Sequence, residues 1–301
     1  MKKRRRRDTE PPPAAGSVIL DRFTEEQLGN WTRGGDILQG LADKVYFELE
    51  RQRAAKYVEL CGALRLSPPV AISLNHWCRI TDWRWNLTPL SPAGSVKVIG
   101  GRFNIGETID RARGQAFPCV YIAEDLDTAY AEYFGRPLST SIGSLTLSEF
   151  ALRRESSFST FLLKGQVDTV LDLRDEKSLF HFVEIIRRFD LSWLTKAAIR
   201  SAGAPRREII RTAKQLRKRL LQAPDVWRQE PTLFAIPAVS QIFGRFARDA
   251  DFEAILYPSQ RGSGLCMAVF PENLARGDSR IEVVGDLPAG ASCTVLDKSH
   301  A

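Results

Sequence analysis

The chain has 301 residues, room for one large domain or two modest ones. Its 44% hydrophobic and 26% charged shares are those of an ordinary soluble globular protein and exclude wholesale disorder. A net charge of +7 suits an anionic partner, although the run "KKRRRR", Lys2–Arg7, supplies most of the excess. That run is expected to be a solvated tail, with nucleic-acid or membrane-surface contact as the alternatives. No apolar run approaches the roughly 18–20 residues of a membrane helix. "DTEPPPAAG" follows the basic run where a secretory signal would have an apolar core. Five scattered cysteines and three histidines form no C-x-x-C pair, so neither a disulfide framework nor a zinc site is supported, and no metal ligand is assigned. His76 and Cys78 flank Trp77, a pattern more often packing than ligation. A cytoplasmic, reduced compartment is expected.

Along the chain, residues 1–16 read as an unstructured, Pro-rich tail. Helical patterning runs from Ser17 to about Leu66, with Thr24 and Gln27 as a capping box, and ends at "SPPV". Trp77–Phe103 is aromatic and irregular, and short strands between Pro and Gly turns are expected there. "FPCVYIA" predicts a strand with Cys119, Tyr121 and Ala123 on one face and Val120 and Ile122 on the other. A helix follows in "EDLDTAYAEYFG", opened by acids and stopped at Gly135, with an apolar stripe of Leu126, Ala129, Tyr130 and Tyr133. "STFLLKGQVDTVLDLRD" reads as two strands around "KGQVD". "LFHFVEIIRRF" and "PRREIIRTAKQLRKRLLQAPDVW" read as helices, the second basic on one face. The segment from Ala238 to Phe270 predicts helix, strand, glycine-rich loop and strand. Strands and helices mix without βαβ alternation, which favours an α+β fold.

There is no Walker loop, G-x-S-x-G, H-E-x-x-H or paired-carboxylate signature. Four polar features remain. Arg102 lies in "VIGGRFNIG", where Gly100 and Gly101 allow close backbone approach and Asn104 follows. Its guanidinium, aimed outward, is either a phosphate fork or a turn arginine in water. Tyr121 either stacks on a flat ring or is a core tyrosine with a wet hydroxyl. Glu132 falls at the margin of its helix's stripe, where a carboxylate either faces a cleft or snorkels. "YPSQRGSG", with Ser259, either cradles an anion on its backbone N–H groups or is a plain hairpin loop.

The order and spacing of these features resemble the RES domain family, named for an arginine, a glutamate and a serine. The matching pieces are "GGRFN", "VYIAEDLDTAYAE" with Tyr121 and Glu132 eleven positions apart, "VLDL" at Val170–Leu173, and "YPSQRGSGLCMAVFPENL". Arg79 in "WCRI" matches the family's earlier arginine. The resemblance spans about Trp77 to Leu274. Phe103 stands where tryptophan is usual. The spacer "ETIDRARGQAFPC", the N-terminal helices and the basic stretch around Arg206–Arg219 are additions.

The resemblance implies an ADP-ribosyltransferase-like mixed β core with flanking helices and an N-terminal helical appendage. It divides the chain into a tail (1–16), a helical segment (17–70), a catalytic domain (71–280, with a basic helical insertion at about 186–230) and a C-terminal strand and tail (281–301). It implies NAD+ as substrate rather than cofactor. The toxin role of many members implies an antitoxin partner with an Xre-type helix-turn-helix domain, and no membrane partner. Glu132, Tyr121 and Arg102 would be catalytic, and Arg79, Gly101, Asn104, Ser259 and Arg261 substrate-binding. Nicotinamide is a cationic leaving group, so the difficulty is an oxocarbenium-like transition state, which a fixed carboxylate stabilises. Glu132 would do this while Arg102 and Arg79 neutralise the pyrophosphate, Tyr121 braces the nicotinamide ring and Ser259 positions phosphate or ribose. Three functions stay open: an NAD+ glycohydrolase or phosphorylase, an ADP-ribosyltransferase acting on a macromolecule, and a non-catalytic regulator binding nucleic acid through its tail and "REIIRTAKQLRKRLL".

Overall fold

A computed structural model of the chain describes residues 24–135, 157–203 and 209–300, without the side chains of 25–31 and 300. The expected tail, the start of the helical segment before residue 24 and the Gln27 half of the capping box lie outside the described residues.

The fold is α+β: helices pack around a ring of strands. Helix α1 (Glu25–Ala55) breaks at Lys56 and continues as α2 (Tyr57–Arg65). Among the described residues seven strands follow: β1 (Val70–Asp82), β2 (Val120–Ala123), β3 (Phe158–Asp172), β4 (Ala254–Pro258), β5 (Leu265–Val269), β6 (Arg280–Val284) and β7 (Val295–Leu296). Their order is β1-β2-β5-β4-β3-β6-β7, and β1 also pairs with β3, so five strands close on themselves and β6–β7 extend outward from β3. Closure removes the exposed edges that an open sheet would present. The β3–β4 pair is parallel, which makes the sheet mixed.

Two sequence expectations fail here for one reason. Trp77–Phe103 does not open with short strands but with the end of the 13-residue β1, and "STFLLKGQVDTVLD" lies in one strand of 15 residues, not two. The pair hydrogen-bonds from Val70↔Val170 to Asp82↔Phe158, and its irregularities are absorbed locally. His76, at φ +60, bulges β1, while Gly165, at φ +139, lets β3 pass where a Cβ would lie 1.9 Å from the Arg280 carbonyl oxygen. A glycine inside a strand thus marks a bend, not a break.

The strand period sorts the core. Val120, Ile122, Leu256 and Met267 join one cluster, while Cys119, Ala123, Ile255 and Cys266 join the other with Tyr121 packed against it. The second cluster takes its helical half from α2 and from the helices Phe180–Ile186, Ala213–Leu220 and Val239–Asp249. Ala42 and Tyr46 of α1 belong to this same core. The spacer after the glycine loop docks on α1, where Arg113 pairs with Asp43 at 2.8 Å and its carbonyl accepts from the Tyr46 hydroxyl.

The expected basic helix from Pro205 is shorter and divided. Thr212 caps the helix Ala213–Leu220 in a capping box with Gln215, and Pro224 opens a separate turn, Pro224–Trp227. Residues 204–208 lie outside the described residues. Two of its basic side chains are spent inside the fold: Arg217 donates to the Leu173 carbonyl at 2.7 Å and Arg211 to that of Phe189 at 3.1 Å. Among the described residues no helix is long and apolar enough to cross a membrane.

Candidate active site

The glycine loop precedes β2 and is clamped from below. Gln241, fully buried in the helix Val239–Asp249, directs Nε2 at the carbonyls of Ile99, Gly101 and Asn104 at 2.8, 3.0 and 3.0 Å. Its Oε1 accepts from Ala238 N at 3.0 Å, so the amide is satisfied on both sides. Val98 is held at φ +55, a conformation that costs a β-branched residue on the order of 1–3 kcal/mol.

Arg102 corrects the expectation of an outward guanidinium. It is 6% exposed, and Nη1 donates to the carbonyls of Leu220 at 3.2 Å and Gln222 at 2.7 Å. These carbonyls end the helix Ala213–Leu220, where the partial negative charge of the helix favours a cation. The same guanidinium lies 5.9 Å from the ring centres of Trp227 and Tyr257.

Tyr121 is half-buried, and its hydroxyl is not free. Oη donates to Asn104 Oδ1 at 2.8 Å and accepts from Phe103 N at 2.9 Å, and burial raises its pKa well above the ordinary phenol range. Asn104 is fully buried, accepts also from Gly101 N at 2.9 Å, and donates to the Ser95 and Phe117 carbonyls. Gly101 lies against the phenol, because a Cβ there would stand 2.5 Å from Oη. Tyr121→Phe strands Phe103 N, and is expected to cost about 1–3 kcal/mol in a denaturant titration.

Glu132 stands on helix α3 (Leu126–Phe134), which Asp125 caps by accepting from Thr128 N at 2.7 Å and Gly135 ends in the left-handed region. Of the expected stripe Ala129 and Tyr130 are buried, Tyr133 is half-buried and Leu126 is exposed, and Thr128 and Ala131 are buried beside them. Glu132 does fall at the stripe's margin, half-buried. Its Oε1 accepts from Ser259 Oγ at 2.6 Å and Gln260 N at 3.0 Å, and among the described residues no hydrogen bond reaches Oε2. Ser259 Oγ in turn accepts from Arg261 N at 3.1 Å and Gly262 N at 2.8 Å. The turn thus cradles an anion, and that anion is the protein's own carboxylate. Arg261 Nη1 donates to the Glu132 carbonyl at 2.8 Å.

These elements enclose a cleft of about 240 Å³ lined by Arg79, Gly101, Arg102, Tyr121, Glu132 and Arg261 among others. Residues 79, 102, 121, 132 and 261 therefore converge across the fold, while Ser259 and Asn104 stand behind the wall and hold the residues that form it. Among the described residues the lining holds four arginines, Arg79, Arg102, Arg228 and Arg261, against one acid, Glu132, so the cleft attracts anions. Arg79 donates Nη2 to the Ser91 carbonyl at 3.0 Å, whereas its Nε and Nη1 are shielded from solvent and have no partner among the described residues. Loss of water pulls its pKa down to about 10, which still leaves it charged at neutral pH. A dehydrated guanidinium with two idle nitrogens is costly until an anion reaches it. The Cys266 thiol is pushed up, first by burial and then by the charge of Glu132, so no thiolate nucleophile is available from it.

Sequence reasoning missed Trp227, Arg228, Tyr257 and Gln241. The first two belong to "PDVW" and its successor, read as the end of a basic insertion, and nothing local distinguishes them. Gln241 left a trace, a lone amide amid the apolar residues of "AVSQIFGRF".

A family model described as RES domain matches residues 76–289. No curated protein matches the chain. Among solved structures, the crystal structure of the M. tuberculosis MbcT–MbcA toxin–antitoxin complex is similar at 16% identity and a TM-score of 0.40, covering 75% of this chain and 90% of that one. The match over 76–289 takes in more than half of the chain and every lining residue of the cleft, from Cys78 to Cys266, and on that ground the chain belongs to the RES domain family.

Proposed function

We propose that the protein cleaves NAD+ at the bond between nicotinamide and ribose, as a glycohydrolase or phosphorylase. The observation that carries this reading is Glu132, one carboxylate pinned by Ser259 and Gln260 N in a cleft otherwise charged by arginines. The C1′–N bond breaks with its electron pair going to nicotinamide, which leaves neutral, so no general acid is needed. The sugar is left as an oxocarbenium-like cation, and Glu132 offers negative charge and a free Oε2 to stabilise it. Arg79 and Arg102 face the pyrophosphate. Tyr121, its hydroxyl already committed, serves as a wall for the ring rather than as an acid or base. An acceptor oxygen then adds to C1′ and loses its proton.

At about 240 Å³ the cleft is smaller than the ~300–1,000 Å³ usual for ligand pockets. It therefore takes the nicotinamide–ribose–phosphate half, with the adenosine towards the mouth. Purified protein incubated with NAD+ is expected to release free nicotinamide, and its absence removes the reading. Ser259→Ala, which frees Glu132 without removing it, is expected to lower kcat roughly tenfold or more with little change in KM, since one hydrogen bond to a charged group is lost.

Membership of the family extends the reading to a toxin of the cytoplasm, held inactive by an Xre-type antitoxin. Growth arrest on expression, relieved by a partner gene and absent with a Glu132 variant, tests this. Labelled ADP-ribose appearing on a protein or nucleic acid would instead favour transfer to a macromolecule.

A further inference from the structure

Arg228 is the cleft arginine with nothing to hold. Arg102 is anchored by two carbonyls, Arg79 by one and Arg261 by the Glu132 carbonyl. Arg228 has no hydrogen bond and no ion pair among the described residues, and its contact is the Trp227 ring, 5.3 Å from its guanidinium carbon. Its pKa is lowered, first by partial loss of water and then by the charges of Arg261 and Arg102. Glu132 opposes this, and it is already bound to Ser259 and Gln260. Arg102, Arg228 and Arg261 thus face the one carboxylate of Glu132, an excess of positive charge that a bound anion would offset.

Trp227 is 5% exposed, and the guanidiniums of Arg102 and Arg228 both lie over its ring, at 5.9 and 5.3 Å. A ring already serving two cations is poorly placed to stack on a nicotinamide or an adenine. Its role is to hold Arg228 flat at the rim, where stacking restricts a side chain that would otherwise sample many rotamers. Both residues come from the segment after Pro224, which the sequence set apart from the family's usual elements.

We propose that Trp227 and Arg228 form a phosphate clamp: Trp227 backs the guanidinium and Arg228 takes phosphate oxygens of the substrate, completing an anion site with Arg102 and Arg261. This assignment rests on the dinucleotide reading of the cleft, but its test does not require turnover. Two phosphates of such a substrate share the chemistry, the bridging pyrophosphate and a ribose 2′-phosphate, and comparison of NAD+ with NADP+ separates them.

Inorganic pyrophosphate is titrated by calorimetry into the wild type, Arg228→Gln, Arg228→Lys and Glu132→Gln, and KM and kcat are measured with NAD+ and NADP+. Arg228→Gln is expected to weaken pyrophosphate roughly tenfold or more and to raise KM for NAD+ by a similar factor with kcat little changed, since a charged hydrogen-bond donor is lost. Arg228→Lys, which keeps the charge without the fork, is expected to fall between. Glu132→Gln is expected to bind pyrophosphate as the wild type does. A loss confined to NADP+ supports the clamp and assigns it the 2′-phosphate. Arg228-dependent pyrophosphate binding by a wild type that releases no nicotinamide keeps the clamp and removes the cleavage reading. Wild-type affinity for pyrophosphate and unchanged KM for both dinucleotides in Arg228→Gln, or no pyrophosphate binding by the wild type, overturns the clamp.

Discussion

Glu132→Gln is expected to lower nicotinamide release from NAD+ by about two to three orders of magnitude, the size of effect seen when one preorganised electrostatic group is removed from an active site. The substitution is nearly isosteric. A glutamine carbonyl can still accept from Ser259 Oγ and Gln260 N, so the melting temperature should stay close to that of the wild type. The loss should appear in kcat, because the carboxylate acts on charge that develops only as the bond breaks. Neutralising one acid in a cleft lined by four arginines should leave binding of the anionic substrate intact. Undiminished release by this variant, assayed under saturating NAD+, would mean that the carboxylate is structural.

Gly244→Ala should destabilise the protein although local rules predict the reverse. In a helix interior, alanine is ordinarily favoured over glycine by roughly 1 kcal/mol. Gly244 lies inside the helix Val239–Asp249, one turn from Gln241, and an added Cβ would stand 2.0 Å from the Phe103 carbonyl oxygen. That oxygen is backbone, so it cannot rotate away. Overpacking of this kind costs about 1–3 kcal/mol, enough to cancel or exceed the propensity gain. The strain falls on the loop that carries Arg102 and whose Phe103 N donates to Tyr121. A fall in melting temperature together with a large loss of activity is expected, and calorimetry with the nicotinamide assay measures both. A more stable, fully active variant would show that helix and loop are not in rigid contact.

Much of the local structure was legible because its causes lie within a few residues. The Asp125 cap and the Gly135 stop of α3 follow from which side chains can satisfy helix ends. The alternation of Tyr121 and Ile122 between two cores follows from the strand period. The β4–β5 hairpin, joined by Ser259–Gly264, was read correctly from two apolar runs around glycines. The failures share a cause. The glycine in "KGQVD" signals a break locally, whereas pairing with β1 on one side and β6 on the other carries the strand through Gly165. Angle alone puts Leu126 in the stripe, yet at the first position of α3 it is 42% exposed while Thr128 and Ala129 of the same turn are buried.

Short-range pattern suffices to put Arg102 in its glycine loop, Tyr121 on a strand and Glu132 on a helix, in the order of the RES domain. What those residues do to one another depends on long-range packing. Ser259 serves Glu132 across 127 positions, Arg102 is anchored to Leu220 across 118, and Trp227 and Arg228 enter the cleft from a segment whose local pattern pointed elsewhere. Helix and strand periods encode which way a side chain faces. The closing of the strand ring and the packing of helices on it decide what it meets there.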